Sequence, residues 1–236
     1  MAFFKSRDYT FMRNGHMNQP IKTQVESKSN LSIIDVNKIY NSKLETSPYE
    51  YVVVLDFILQ DWKEKLIDAY PKVKAAGSFP LSSVSCSSEF MQLINELNSD
   101  AFRHAIEKKF LLDLEGKPTM FTVRGKCRLK DGQVHTDSES KIITVLLYMN
   151  PSWENQAAGR LRLLNSNNIE DIKTELSPNV GTLLIFRRSD HSYHGHLPFE
   201  GTRKVIQMNW VTHQKFVDHE QNRHRWSAIF KMFSSY

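Results

Sequence analysis

Two cysteines, Cys86 and Cys127, are all the thiol in a chain of 236 residues. That is too few for a disulfide scaffold or a thiolate zinc site, and both read as reduced thiols of a reducing compartment. Long apolar runs are missing too, so no membrane-spanning helix is expected. The first residues, MAFFKSRDYTFMRNGHM, lack a continuous apolar segment followed by a small-residue cleavage site. That argues against a secretory signal and for a cytoplasmic protein. The basic excess is small, a formal net charge of +5. It admits anionic ligands but falls short of the dense Lys/Arg clustering of a nucleic-acid binder, so no nucleic-acid partner is expected. No internal repeat or heptad pattern occurs.

What is present is ordinary globular material: 40% hydrophobic and 24% charged residues, enough for one sizeable core. Residues 1–46 are polar and read as an N-terminal extension, with residues 47–236 as a single domain. Helical spacing dominates residues 56–115: Trp62, Leu66, Ile67 and Tyr70 recur on one face, and Pro71 ends the pattern. A loop over residues 78–88 follows. Ser87 or Ser88 then caps a helix with Phe90, Leu93, Ile94 and Leu97, and Asp100 caps the next, with Phe102, Ile106 and Phe110. Strands take over in residues 118–212. They include a near-continuous apolar run from Ile142 to Met149, a half-exposed strand in which Arg160 and Arg162 alternate with Leu161 and Leu163, and a return from Val205 to Trp210. Residues 214–234 read as an amphipathic helix with Trp226, Ile229, Phe230 and Phe233 on one face. That stripe docks on the chain's own core or, alternatively, makes a homodimer, with binding to a membrane surface as the third reading. The fold class expected is α+β: a double-stranded β-helix, or jelly roll, with helices packed on its major sheet.

The chemistry concentrates in His135-Thr136-Asp137 and, well downstream, His194 and Arg203. Alternation along a strand puts the imidazole and the carboxylate of an HxD pair on one side, where they can share a cation. A lone HxD is common and is often only a solvated loop. Ser189 to His196 offers His191, His194 and His196 as the third ligand, and spacing alone does not choose between the last two. Two histidines and one carboxylate leave octahedral positions open, which suits Fe(II). No HExxH motif is present to suggest a zinc hydrolase. Arg203, returned by a turn through Pro198 and Gly201, could pair with a carboxylate. Arg124 is a further candidate, for an anionic substrate; a solvent-facing strand arginine is the plainer alternative.

With these residues in place, the stretch from Thr119 to Val211 resembles the Fe(II)/2-oxoglutarate dioxygenase superfamily, in the branch related to prolyl hydroxylases. The resemblance makes His135, Asp137 and His194 the metal ligands. It pairs Arg203 and Tyr148, within Tyr148-Met149-Asn150, with the far carboxylate of 2-oxoglutarate. Gly159-Arg160-Leu161 and Ser192-Tyr193-His194-Gly195 are similar to the family's flanking motifs, and the second of these favours His194 over His196. The resemblance implies Fe(II) and 2-oxoglutarate, with ascorbate as a reductant, and O2 consumed with release of succinate and CO2. No peptide-binding appendage is recognisable in the sequence, so hydroxylation of a small molecule, sugar or lipid-linked metabolite is the expectation. The alternatives are a protein (prolyl-type) hydroxylase and a non-catalytic metal-binding module. A nucleobase demethylase would carry a second arginine where this chain has Asn209.

Overall fold

The structure is a computed structural model that describes residues 32–153 and 157–218. A short helix α1 (Asn37–Asn41) precedes strand β1 (Tyr51–Val54). Helix α2 (Gln60–Ala69), strand β2 (Phe79–Pro80) and helices α3 (Ser88–Leu97) and α4 (Asp100–Phe110) follow. Then come β3 (Thr119–Cys127), β4 (Lys141–Tyr148), β5 (Leu161–Leu164), β6 (Ile172–Leu176), β7 (Leu183–Arg187), β8 (His194–Gly195) and β9 (Gly201–Val211).

The helices start where hydroxyl side chains can satisfy free backbone donors. Ser87 accepts from the Phe90 amide at 3.2 Å and Ser99 from the Phe102 amide at 3.3 Å. Asp100 is therefore not the cap but the first helical residue, where its charge still favours the helix dipole. Phe90, Leu93 and Leu97 of α3 and Phe102, Ile106 and Phe110 of α4 are buried.

The strands form two antiparallel sheets. Six strands pair in the order β1-β7-β4-β9-β3-β2, and three in the order β6-β5-β8. The smaller sheet is extended by a bridge between His135 and His194. This is the jelly-roll core expected. The apolar run of β4 is continuous because both faces are covered. Ile143, Val145 and Leu147 pack in the cluster that includes the helices, whereas Leu146 and Tyr148 pack between the sheets with Leu161, Leu163, Leu184 and Phe186.

Two expectations change. The boundary placed at residue 46 falls inside the packed body: Ile33, Ile34 and Ile39 are buried in the main core, and Glu45 pairs with Tyr51. A sparse apolar pattern hid this, because so few side chains are enough to anchor the segment. The strand around Arg162 is not half-exposed. Arg162 is buried, with its guanidinium bonded to Glu175 and Glu170. The apolar stripe from Trp226 to Phe233 lies outside the described residues; residues 214–218, which are helical, are the part of that segment described.

Candidate metal centre and anion socket

His135 and His194 meet because their backbones pair: His135 N donates to His194 O at 3.1 Å, and His194 N donates to His135 O at 3.0 Å. Their rings lie 4.4 Å apart between centroids. Asp137, two residues on, completes a cluster in which one ligand atom from each residue lies within 4.8 Å of the others. Both histidines are oriented for metal. Each Nδ1 sits against a backbone carbonyl, His135 on Gln133 O at 2.8 Å and His194 on Ser192 O at 2.9 Å. A carbonyl only accepts, so Nδ1 carries the proton and Nε2 is left with its lone pair.

The carboxylate of Asp137 is held on both oxygens. Lys141 Nζ donates to Oδ1 at 2.6 Å, and the Thr144 hydroxyl donates to Oδ2. Thr144 in turn accepts from Asn209 Nδ2 at 2.8 Å, and Asn209 Oδ1 accepts from Gln207 Nε2 at 3.0 Å. Burial pushes the Asp137 carboxyl up, but the Lys141 ammonium, His194 and the two hydrogen bonds outweigh it and hold the pKa at about 2. Burial pulls His194 down to about 4, so its imidazole is neutral at physiological pH, the state a metal requires. This donor set fits a divalent cation with open coordination positions.

The second half of the site is Arg203, buried at the start of β9. Its Nε donates to Gly159 O at 2.7 Å and its Nη2 to the Tyr148 hydroxyl at 3.3 Å, with the guanidinium 5.2 Å from the Tyr148 ring centre. Gly159 has φ +76, and a Cβ there would lie 2.8 Å from the Trp153 ring, so glycine is required where its carbonyl receives the arginine. Asn150 fastens the same corner. Its Nδ2 donates to Pro178 O at 2.6 Å and to Lys204 O at 3.1 Å, and its Oδ1 accepts from Lys204 N at 2.7 Å.

The three metal-type ligands, Arg203, Tyr148 and Arg124 line one cavity of about 400 Å³. His196 lines it too, but its Nδ1 faces Leu197 O at 2.8 Å and it is not part of the ligand cluster. Its ring packs against Gly132, where a Cβ would come within 2.2 Å of it. His191 is exposed and lines a different depression. Of the residues named from sequence, His135, Asp137, His194, Tyr148, Arg203 and Arg124 come together. Lys141, Thr144 and Asn209, which position Asp137, were missed. The only local signal was a lysine and a threonine four and seven residues after the aspartate.

Residues 126–212 match the profile of the 2OG-Fe(II) oxygenase superfamily. No curated protein matches the sequence. The fold is similar to that of a prolyl-4-hydroxylase from Pseudomonas putida, with 17% identity, 75% of this chain and 92% of that chain covered, and a TM-score of 0.51. It is also similar to a prolyl 4-hydroxylase from Phytophthora capsici, with 16% identity, 80% of this chain and 69% of that chain covered, and a TM-score of 0.52.

Proposed function

We propose that this chain, whose residues 126–212 match the profile of the 2OG-Fe(II) oxygenase superfamily, is an oxygenase of that kind that hydroxylates a small molecule in the cavity between its two sheets. The observation that carries the reading is the meeting, in one cavity, of His135, Asp137 and His194 with the Arg203–Tyr148 socket. Bound Fe(II) and 2-oxoglutarate supply O2 activation, with oxidative decarboxylation to succinate and CO2 coupled to insertion of one oxygen atom into a C–H bond.

The chain's own residues do the rest. The Nε2 atoms of His135 and His194 and a carboxylate oxygen of Asp137 would hold the metal. Lys141 and Thr144 fix the carboxylate's orientation, so little reorganisation accompanies metal binding. Arg203 and the Tyr148 hydroxyl would take the far carboxylate of 2-oxoglutarate in a desolvated socket, where a charged hydrogen-bonded pair is strongest. Leu146, Leu161 and Val205 line the wall between the two ends and keep water from the carbon chain.

A cavity of this volume suits small ligands. The rival reading is a protein (prolyl-type) hydroxylase, supported by the two prolyl 4-hydroxylases of like fold. Among the described residues no helix is long and apolar enough to cross a membrane, and we place the enzyme in the cytoplasm, where Fe(II) stays reduced. The test is succinate release from 2-oxoglutarate with Fe(II) and ascorbate, screened across small metabolites and prolyl peptides, with mass detection of a product one oxygen atom heavier. Stimulation by a small metabolite supports the reading, and stimulation by prolyl peptides alone overturns it.

A further inference from the structure

Arg124 is a second arginine in this cavity, and the cosubstrate's charges do not account for it. It stands on β3 opposite Val205 of β9, and Val205 stands opposite Tyr148 of β4, so the three share one row across the large sheet. The residue is held from two sides. Its Nε donates to Ser78 Oγ at 2.7 Å, and its backbone carbonyl accepts from the Tyr70 hydroxyl at 2.7 Å. Its terminal nitrogens are left to the cavity that it lines. No carboxylate of the described residues forms an ion pair with it. Asp131, which acts on it at longer range, is engaged by Arg128 at 3.2 Å. Burial and the neighbouring charge of Arg203 both lower its pKa, the mark of a cation set beside another cation without a counter-ion.

2-Oxoglutarate carries two negative charges, and the proposed site spends one on the metal and the other on Arg203. Lys141 already faces Asp137. Arg124 therefore keeps no opposite charge among the described residues when the cosubstrate is in place, and as a half-buried residue it presents that charge to the cavity it lines. Resting on the oxygenase reading, we propose that Arg124 binds a carboxylate of the molecule that is oxidised, so that the substrate class is a small carboxylic acid. Ser78 sets the guanidinium's direction, and its two free nitrogens present the fork that a carboxylate fits bidentately.

The test uses the full chain loaded with Mn(II) and saturating 2-oxoglutarate without oxygen, and acetate as the probe. Paramagnetic relaxation of the acetate methyl protons is compared with that of acetamide. Acetate is expected to relax far faster than acetamide, and the enhancement to fall at least about tenfold in Arg124→Met, as for loss of a desolvated charge pair. Arg124→Lys should retain part of it. The 2-oxoglutarate affinity of Arg124→Met should stay within about twofold of the unaltered protein, in contrast to Arg203→Met. Equal relaxation of acetate and acetamide overturns the proposal, as does an unchanged enhancement in Arg124→Met. A loss of 2-oxoglutarate affinity in Arg124→Met as large as in Arg203→Met also overturns it and assigns the residue to the cosubstrate. The loading step reports separately on the oxygenase reading, which falls if 2-oxoglutarate does not bind the Mn(II) form.

Discussion

At the scale of single residues, Asp137 is held by groups that the metal motif does not contain. Its two oxygens are engaged by Lys141 and Thr144, and Thr144 is oriented by Asn209. Thr144→Val keeps the shape but removes the donor to Asp137 and orphans the Asn209 amide. Titration of Mn(II) should show an affinity about tenfold weaker, in the range seen when groups that orient metal ligands are removed. Arg203→Ala divides the site the other way. It should weaken 2-oxoglutarate by about a hundredfold while changing metal affinity little, because only the carboxylate pair is lost. Equal loss of both in a calorimetric titration would contradict that division. The clustering of His135, Asp137 and His194 in one cavity with Arg203 was legible in sequence because HxD, a distant histidine and a following arginine are a sparse pattern. Thr144 and Asn209 were not, because their meeting depends on the register of β4 against β9.

At the scale of elements, the corner where β4 ends and β9 begins determines whether Arg203 is aimed. Asn150 joins Pro178 and Lys204 there through three hydrogen bonds, and Gly159 receives Arg203 on its carbonyl. Asn150→Ala leaves a buried carbonyl and an amide unpaired, so urea unfolding should show a loss of about 2–4 kcal/mol. The 2-oxoglutarate affinity should fall with it, since Lys204 adjoins Arg203 in the strand. An unchanged unfolding midpoint would show that water replaces the amide without cost. The long strands were legible from their apolar runs. The two-residue β8 was not, although it carries His194, because its pairing to Leu163 and His135 is long-range and leaves no periodicity. Arg162 misled in the same way: alternation marked it for solvent, and only the cross-strand position of Glu175 explains its burial.

At the scale of the whole molecule, the space between the sheets holds two histidines that burial keeps neutral, His194 and His196, each with its pKa drawn down to about 4. A depressed histidine contributes stability that is fully present above its unfolded value of 6.5 and is lost as pH falls toward 4. The unfolded chain takes up those protons first. The melting temperature of the metal-free protein should therefore drop steadily between these values, and His196→Asn should remove about half of the drop, one of two comparable groups. A pH-independent melting temperature across that range would refute this account of the buried pair. Bound metal should raise the curve at neutral pH by mass action and lose its effect in acid, as His194 and Asp137 take up protons.

The most direct test of the central claim is calorimetric titration of 2-oxoglutarate into the Fe(II)-loaded protein under anaerobic conditions, followed by admission of O2 and measurement of succinate. One equivalent should bind, succinate should follow O2, and His135→Ala should abolish both by removing a proposed metal ligand. Absence of 2-oxoglutarate binding to the unaltered Fe(II) protein, or binding and turnover that survive His135→Ala, would contradict the assignment of His135, Asp137, His194 and Arg203 to one oxygenase centre.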